Sequence, residues 1–216
     1  MSNGPRPVRL LLAGATGLVG GALLRQAIVD PRVGLVVAPT RRPLPPADKL
    51  ENPIVDFERL PADAAWWIVD AAISTLGTTI KKAGSKDAFR RVDHDYVRDV
   101  ARLARAHGAR AFALTSATGA DATSRIFYNR VKGETERSLD GCGYPSLTIV
   151  RPGVIGGERA ESRPVEYAAI QLLRVLGPLL PRQLRLSPAA HVAHALLEAA
   201  IAAAPGRHLV TAAELA

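Results

Sequence analysis

The apolar residues of the chain fall into short runs of strand length, separated by longer stretches with helical spacing. The short runs predict six strands, at residues 8–13, 34–38, 53–55, 71–75, 109–114 and 146–150. The longer stretches predict six helices, at residues 21–30, 60–69, 86–106, 126–139, 165–176 and 189–203. Strands that alternate with helices in this way predict a doubly wound parallel α/β sheet.

The length of the chain and its C-terminal part decide the predicted domain organisation. A chain of 216 residues suits a single domain with a substantial core. Residues 155–216 follow the sixth predicted strand, and we expect them to include a small helical lid over the substrate. No apolar stretch approaches the roughly 18 residues of a membrane span, and the polar start does not resemble a signal peptide. We therefore predict one domain, 1–216, that does not enter a membrane.

Charge and cysteine content narrow the expected partners. A formal net charge of +8 would suit a nucleic-acid partner. The basic residues are nevertheless spread along the chain, and many share helical spacing with acids, as around Arg98 and Asp99. We therefore interpret them as a solvated surface and expect no nucleic-acid binding. The single cysteine, Cys142, leaves no partner for an internal disulfide, which fits a reducing, cytoplasmic location.

The first predicted strand runs into a glycine pattern, GATGLVG at residues 14–20, and then into the first predicted helix. Strand, glycine turn and helix in this order are typical of dinucleotide-binding sites. Gly14 permits the tight turn, Gly17 lets the backbone approach a pyrophosphate, and Gly20 lets helix and strand pack closely. The helix N-terminus offers N–H groups to the phosphate. The predicted contacts are Gly14, Thr16, Gly17, Leu18 and Val19, and an ordinary structural turn is the alternative.

The residues after the second predicted strand bear on the choice of cofactor. NAD enzymes usually carry an acid here, about 20 residues past the glycines, for the ribose 2′-hydroxyl. This chain instead has Arg41 and Arg42, and a guanidinium binds a 2′-phosphate. The sequence therefore predicts NADP(H). Two solvated loop arginines are the alternative.

Two further strand ends supply candidate cofactor contacts, because the carboxyl ends of parallel strands border the ligand crevice. Asp56 and Phe57 follow the third predicted strand, where an adenine would lie, although Asp56 is equally typical of a helix cap. Leu76 and Gly77 follow the fourth, and we expect them to cover the ribose and phosphates.

A tyrosine and a lysine on the 126–139 helix are candidates for proton transfer. Tyr128 and Lys132 are four positions apart and so share one helix face. Ser116 lies at the end of the fifth predicted strand, where it is expected to face them. An unperturbed phenol loses its proton near pH 10, and an ammonium about 4 Å away supplies the roughly 4 kcal/mol that acid–base work near neutrality requires. We predict Tyr128 as the general acid/base, Lys132 as its support and Ser116 as the group that orients the substrate oxygen. Tyr128 and Lys132 are also predicted cofactor contacts, Lys132 through a hydrogen bond to the nicotinamide ribose. An unrelated surface pair is the alternative.

These motifs together resemble the short-chain dehydrogenase/reductase superfamily, and in detail its atypical branch related to the Tat-interacting oxidoreductases. The finer likeness is carried by LGTT at 76–79, RVDHDYV at 91–97, YNRVKGE at 128–134 and RPGV at 151–154. The resemblance implies a Rossmann fold, NADP(H) as cofactor, and Pro152 and Val154 beside the nicotinamide. Typical members also carry an asparagine that supports the lysine through water, and none is placed securely here. The short C-terminal part argues against a nucleotide-sugar substrate.

Several other side chains are interpreted as structural. Trp66 and Trp67 are expected in the core or an interface, and residues 81–86 in a mobile basic loop. Asp93 and His94 are expected to be solvated or to cap a helix. His191 and His194 lack an evident third ligand, so no metal site is predicted.

The leading functional prediction is an NADP(H)-dependent oxidoreductase acting on a small carbonyl or hydroxyl compound, as a monomer or a homodimer. One alternative is an NADPH-binding regulatory module with little turnover. Another is an isomerase or dehydratase that oxidises its substrate transiently on the bound cofactor.

Overall fold

A computed structural model describes residues 6–156 and 187–215 of the chain. Its strands are β1 (Val8–Ala13), β2 (Val33–Val37), β3 (Leu50–Glu51), β4 (Ala71–Ser74), β5 (Ala111–Thr115), β6 (Ser146–Arg151), β7 (Ile155–Gly156), β8 (Ser187–Pro188) and β9 (Gly206–Thr211). Its helices are α1 (Leu18–Val29), α2 (Ile80–Ala83), α3 (Lys86–Arg90), α4 (Tyr96–Ala106), α5 (Phe127–Asp140) and α6 (Ala189–Ala202). A π-helical turn, Arg91–Asp95, joins α3 to α4.

Seven strands form one parallel sheet in the order β3-β2-β1-β4-β5-β6-β9, and β7 pairs with β8 beside it. The side chains of β1 alternate between the two faces of the sheet. Leu10 and Leu12 pack with α1 and α6, whereas Leu11 and Ala13 pack on the side of α4 and α5. The predicted doubly wound α/β fold is therefore confirmed. Within the described residues, no helix is long and apolar enough to cross a membrane.

The third strand lies earlier than predicted. The sequence predicts a strand at 53–55, but β3 is Leu50–Glu51, and beyond it Ile54 forms only an isolated bridge with Thr40. Pro53 has no N–H to donate to a strand ladder. The Asn52 amide instead donates to the carbonyl of Ala38 at 2.6 Å, so a side chain continues the contact.

The predicted helix at 60–69 is wrong. Only a 3-10 turn, Ala65–Trp67, forms there. Trp67 is completely buried in the core on the α4 side of the sheet, and its indole N–H donates to the Pro61 carbonyl at 2.7 Å. The segment therefore wraps around this ring. Its apolar content reflects burial of the ring and not a helical face.

The segment before α4 is helical where the sequence predicts a basic loop. Thr79 and Ser85 accept hydrogen bonds from backbone N–H groups and cap α2 and α3 respectively. Gly84, at φ +86°, ends the first of these helices. These cap residues are ordinary helix start signals, which the prediction for 81–86 overlooked.

The C-terminal part contributes to the sheet domain itself. Helix α6 packs on α1 and on the strands, and β9 pairs with β6 as the seventh strand. The predicted helix at 165–176 lies outside the described residues. The substrate-covering role expected within 155–216 therefore stays a prediction for residues 157–186.

Candidate functional site

The glycine turn connects β1 to α1 in a geometry that only glycine tolerates at two positions. Gly14 has φ +94°, in the left-handed region. A Cβ at Gly20 would lie 2.1 Å from the Gly14 carbonyl oxygen, a steric clash that excludes any side chain at this position. Gly17 is the N-cap of α1, so the N–H groups of the first helical turn are free of intrahelical acceptors. The turn is therefore built by the backbone and offers donors to an anion.

A cleft opens beside this turn at the carboxyl edge of the sheet. Five residues predicted to bind cofactor line it, and so do four that sequence analysis missed. The predicted lining residues are Gly14, Thr16, Arg41, Phe57 and Leu76, and the others are Pro39, Thr40, Val92 and Tyr96. The five predicted residues come from four separate segments of the chain, and the fold brings them together.

Tyr96 and Phe57 form the aromatic side of the cleft, with ring centroids 5.7 Å apart. The Tyr96 hydroxyl donates to the Glu58 carboxylate at 2.6 Å. Burial, together with the Glu58 hydrogen bond and charge, raises the pKa of Tyr96 to about 12. Tyr96 is thus a neutral hydrogen-bond donor near pH 7, and it ties the loop after β3 to the start of α4.

Other predicted cofactor residues lie outside this cleft. Arg42 is exposed, and the Thr40 hydroxyl donates to its carbonyl. Asp56 is exposed and accepts the backbone N–H of Glu58, so its carboxylate stabilises a turn. Leu18 packs against the core and Val19 is buried in it, so both have their side chains directed into the fold.

Tyr128 and Lys132 lie on one face of α5 but in different surroundings. The Tyr128 side chain is partly exposed, at 37%, and its ring centroid lies 5.7 Å from that of Phe89. The Lys132 side chain is only 6% exposed. Its Nζ lies 2.8 Å from Asp93 Oδ1 and would lie 3.8 Å from a Cβ at Gly77. A buried ammonium therefore lies directly against the loop that follows β4.

Asp93 is neither solvated nor a helix cap, so its interpretation from the sequence is wrong. The residue is 1% exposed, and its Oδ2 accepts the backbone N–H of Thr78 at 2.8 Å. His94 is also buried, between Asp95 Oδ1 at 2.7 Å and Ser138 Oγ at 2.9 Å. The π turn directs both side chains into the protein. The group that lies at the Lys132 ammonium in this structure is thus the Asp93 carboxylate.

Neighbouring charges stabilise the charged form of Lys132 although the side chain is buried. Desolvation lowers the pKa of the ammonium. The charge of Asp93, with smaller contributions from Tyr128 and Glu136, raises the pKa by more than burial lowers it, so the net change is upward. The surroundings of Lys132 therefore favour its charged form.

Ser116 contacts the same helix farther along. It is 4% exposed, and its hydroxyl donates to Glu136 Oε1 at 2.5 Å. Glu136 also pairs with Arg151 at 2.6 Å and lies 3.6 Å from Arg207. Glu136 is two helical turns, or about 12 Å along the axis, past Tyr128. In this arrangement Ser116 braces α5, and its predicted contact with substrate remains a prediction.

The segment after β6 lies next to the loop after β5. The Thr118 hydroxyl donates to the carbonyl of Pro152 at 3.0 Å. Pro152 is buried, whereas Val154 is 55% exposed, and its carbonyl accepts the N–H of Ser187. The two residues that the resemblance places beside the nicotinamide therefore differ in access, and only Val154 presents an open side chain.

Comparison with known proteins relates this arrangement to characterised sequences. No protein-family model matches the chain. The protein HTATIP2 of Rattus norvegicus is 39% identical over 165 residues, which cover 74% of this chain and 68% of the relative. The mitochondrial protein fmp52 of Emericella nidulans is 34% identical over 175 residues, covering 77% and 75% respectively. Both matches extend over most of each protein.

Solved structures share the fold at low sequence identity. MoeE5, in complex with UDP-glucose and NAD, superposes with a TM-score of 0.72 at 18% identity, covering 93% of this chain and 74% of that chain. An oxidoreductase of the short-chain dehydrogenase/reductase family from Burkholderia thailandensis gives 0.64 at 20% identity, covering 98% and 94%.

One expectation is overturned by these comparisons. The single cysteine of the sequence predicts a cytoplasmic protein. Fungal relatives such as fmp52 are named as mitochondrial proteins. The cytoplasmic prediction is therefore wrong, because a scarcity of cysteine distinguishes reducing from oxidising surroundings and does not identify one reducing compartment among several.

Proposed function

Because the chain belongs to the family of HTATIP2 and fmp52, an atypical branch of the short-chain dehydrogenase/reductases, we propose that it is an NADP(H)-dependent oxidoreductase. Its substrate in this proposal is a small carbonyl or hydroxyl compound. The observation that carries the proposal is the pairing of a partly exposed Tyr128 with a buried, charged Lys132 on one helix face. The loop after β4 joins that pair to the glycine turn.

The residues present fit a dinucleotide. The cradle at Gly14 and Gly20 leaves no room for a Cβ, and backbone of this kind approaches a pyrophosphate closely. Arg41 lines the adjoining cleft and is the side chain that would hold a 2′-phosphate, while Arg42 contributes charge from outside. When bound, the nicotinamide supplies or accepts the hydride.

Tyr128 moves the proton that accompanies the hydride. In carbonyl reduction its hydroxyl donates a proton to the developing alkoxide, and in the reverse direction the phenolate accepts it. Lys132 favours the phenolate through its positive charge without changing its own protonation state. After carbonyl reduction the partly exposed Tyr128 phenolate recovers its proton from solvent, and in the reverse direction it releases the proton there. Ser116 acts indirectly in this scheme, because its hydroxyl holds Glu136 and thereby positions α5.

The test is a bound-cofactor mass spectrum of the purified protein, followed by NADPH consumption against a panel of carbonyl compounds. The proposal expects NADP(H) to co-purify or bind and NADPH to be consumed with at least one class of carbonyl. Cofactor binding with no consumption would favour the regulatory module. Product formation without net consumption would favour the isomerase or dehydratase, and a protein that binds neither NADPH nor NADH would contradict all three.

A further inference from the structure

The strongest unassigned feature near the site is the buried contact between the π turn and α5. Asp93 and Lys132 are among the least exposed charged residues described, with side chains 1% and 6% exposed. Both ends of the Asp93 carboxylate are engaged. Oδ1 faces the Lys132 ammonium at 2.8 Å, and Oδ2 accepts the Thr78 N–H at 2.8 Å.

We propose that Asp93 is a positioning residue whose carboxylate keeps the Lys132 ammonium charged and fixes it against the loop that follows β4. The inference rests on the proposed function for the role of Lys132 beside Tyr128. In a site with little water, the Asp93 carboxylate supplies the negative charge that lets Lys132 stay charged beside Tyr128. A neutral side chain at this position could not do so.

The backbone of Asp93 is fixed as firmly as its side chain. The Thr135 hydroxyl, one turn beyond Lys132, lies 3.0 Å from the Asp93 carbonyl oxygen and 2.8 Å from that of Val131, and its one proton is shared between the two. A π turn contains one more residue than the corresponding α-helical turn, which changes the face that the following residues present. The extra residue thus allows Asp93 to enter the interface with α5 while α4 continues to pack its apolar face on the sheet.

The other charged groups around Lys132 do not replace Asp93. Tyr128 and Glu136, on α5 itself, also raise the pKa of the Lys132 ammonium. The Glu136 carboxylate, however, is shared among Ser116, Arg151 and Arg207. A buried lysine without a counter-ion loses its proton more readily, by up to several pH units. Asp93 is therefore the counter-ion on which the charge of Lys132 depends.

A carboxylate and an amide differ at this position in a measurable way. Asn in place of Asp93 would still accept the Thr78 N–H but would carry no charge. The substitution therefore preserves the position of the side chain but removes its charge. As the pH rises, Lys132 should then lose its proton at a lower pH than in the unmodified protein. A merely structural contact would leave the ionisation of Lys132 unchanged.

The experiment follows the ε-carbon signals of 13C-labelled lysine by NMR during a pH titration of the protein. The chain has only five lysines, Lys49, Lys81, Lys82, Lys86 and Lys132, and Lys132→Arg assigns the signal of interest by removing it. In the unmodified protein this signal should not titrate below about pH 10. In Asp93→Asn its midpoint should fall by at least about two pH units.

The control is Asp95→Asn, two residues along the same π turn, because that carboxylate faces His94 and not Lys132. Its Lys132 midpoint should match that of the unmodified protein. A midpoint in Asp93→Asn within about half a pH unit of the unmodified value would overturn the proposal. Turnover plays no part in the readout, so a chain without oxidoreductase activity still tests this inference.

A second measurement covers the case in which Asp93→Asn does not fold. Lys132→Met leaves Asp93 buried without its cation, whereas Lys132→Met combined with Asp93→Asn removes both charges. The double variant should have the higher urea midpoint, because an uncompensated buried charge costs more than a neutral pair. A single variant more stable than the double would contradict the ion pair as described.

Discussion

The glycine turn and the Tyr128–Lys132 face of α5 are the two parts of the candidate site, and they are built from different parts of the chain. The turn is made of backbone: a left-handed Gly14, a close approach at Gly20 and the free N–H groups of α1. The helix face is made of side chains, and its decisive contact, Lys132 with Asp93, joins elements that are distant in sequence. Backbone geometry is fixed by local sequence, whereas a buried ion pair exists only after the fold has assembled.

The difference has a consequence for how each region fails. A side chain added to the turn has nowhere to go and displaces backbone. Truncation of an exposed side chain on the helix face, such as Tyr128, leaves the fold intact but removes a proton donor. The first kind of damage should appear in stability and cofactor binding, and the second in the chemical step.

The largest effect should come from the side-chain region. Tyr128→Phe removes the proposed acid/base and should lower turnover by about 10²- to 10⁴-fold, while the dissociation constant for NADPH stays unchanged. The matched control is Tyr144→Phe, whose hydroxyl donates to the Ala101 carbonyl on the α4 side and which should retain turnover. Steady-state kinetics with fluorescence titration of NADPH measure both quantities. Retained turnover in Tyr128→Phe would remove the catalytic assignment.

The backbone region should respond through stability. Gly20→Ala places a Cβ 2.1 Å from the Gly14 oxygen, and we expect a loss of about 3 kcal/mol in the free energy of unfolding, with loss of dinucleotide binding. Gly21→Ala is the neighbouring control, because its Cβ would meet only ordinary contacts at 3.6 Å. It should be neutral or stabilise the helix by about 0.5–1 kcal/mol. Urea unfolding that ranks the two variants equally would contradict the packing argument.

A smaller effect is expected where a side chain supplements the backbone site. Arg41→Ala should weaken NADPH binding by about 2 kcal/mol, or roughly 30-fold, because one charge-assisted contact to the 2′-phosphate is lost. NADH binding should change little. Arg42→Ala, whose side chain lies outside the cleft lining among the described residues, should have a weaker effect on the same ratio. Equal losses for both cofactors in Arg41→Ala would refute NADP(H) selectivity by this residue.

The smallest effect concerns the contact that joins the two ends of the chain. Arg32 pairs with Asp30 at the start of β2 and with Glu198 of α6, and the Arg32 hydrogen bond lowers the pKa of Glu198. A lowered pKa in the folded state adds stability above the ordinary carboxyl value near 4.5, which is lost as the pH falls. Glu198→Gln should therefore cost less than about 1 kcal/mol at pH 7, since the pair is exposed, and less than that at pH 3, where more of the Glu198 carboxyl is protonated. Urea unfolding at both values checks this, and an equal cost at both would exclude the ionic contribution.

The same contrast explains what the sequence could predict. The strand, turn and helix from Val8 to Val29 were predicted within a few residues, because glycine spacing and apolar periodicity are local properties. Tyr128 and Lys132 were paired for the same reason, as residues four apart on one helix. The doubly wound parallel sheet was predicted from the alternation of strands and helices. No contact between separate elements was needed for any of these predictions.

The errors concern residues whose role depends on a distant partner. In the sequence, Asp93 is one of several acids in a polar helix. Only the fold brings it into contact with Lys132. The contact of the Ser116 hydroxyl with Glu136 also joins separate elements and was not predicted, while the predicted contact of Ser116 with substrate stays a prediction. The 3-10 turn at Trp67 formed around a buried ring, which helical periodicity does not describe. For Asp93 the available signal was that the asparagine that typically supports the lysine could not be placed in this sequence.

The pairing of β9 with β6 makes the order of chain synthesis matter. Until residue 211 has left the ribosome, the outer edge of β6 has unpaired N–H and C=O groups, which are sites for pairing with other chains. Arg207 on β9 also brings a second guanidinium to Glu136 and pairs with Asp140, both on α5. Docking of β9 thus completes the sheet and also adds the Arg207 contacts to α5.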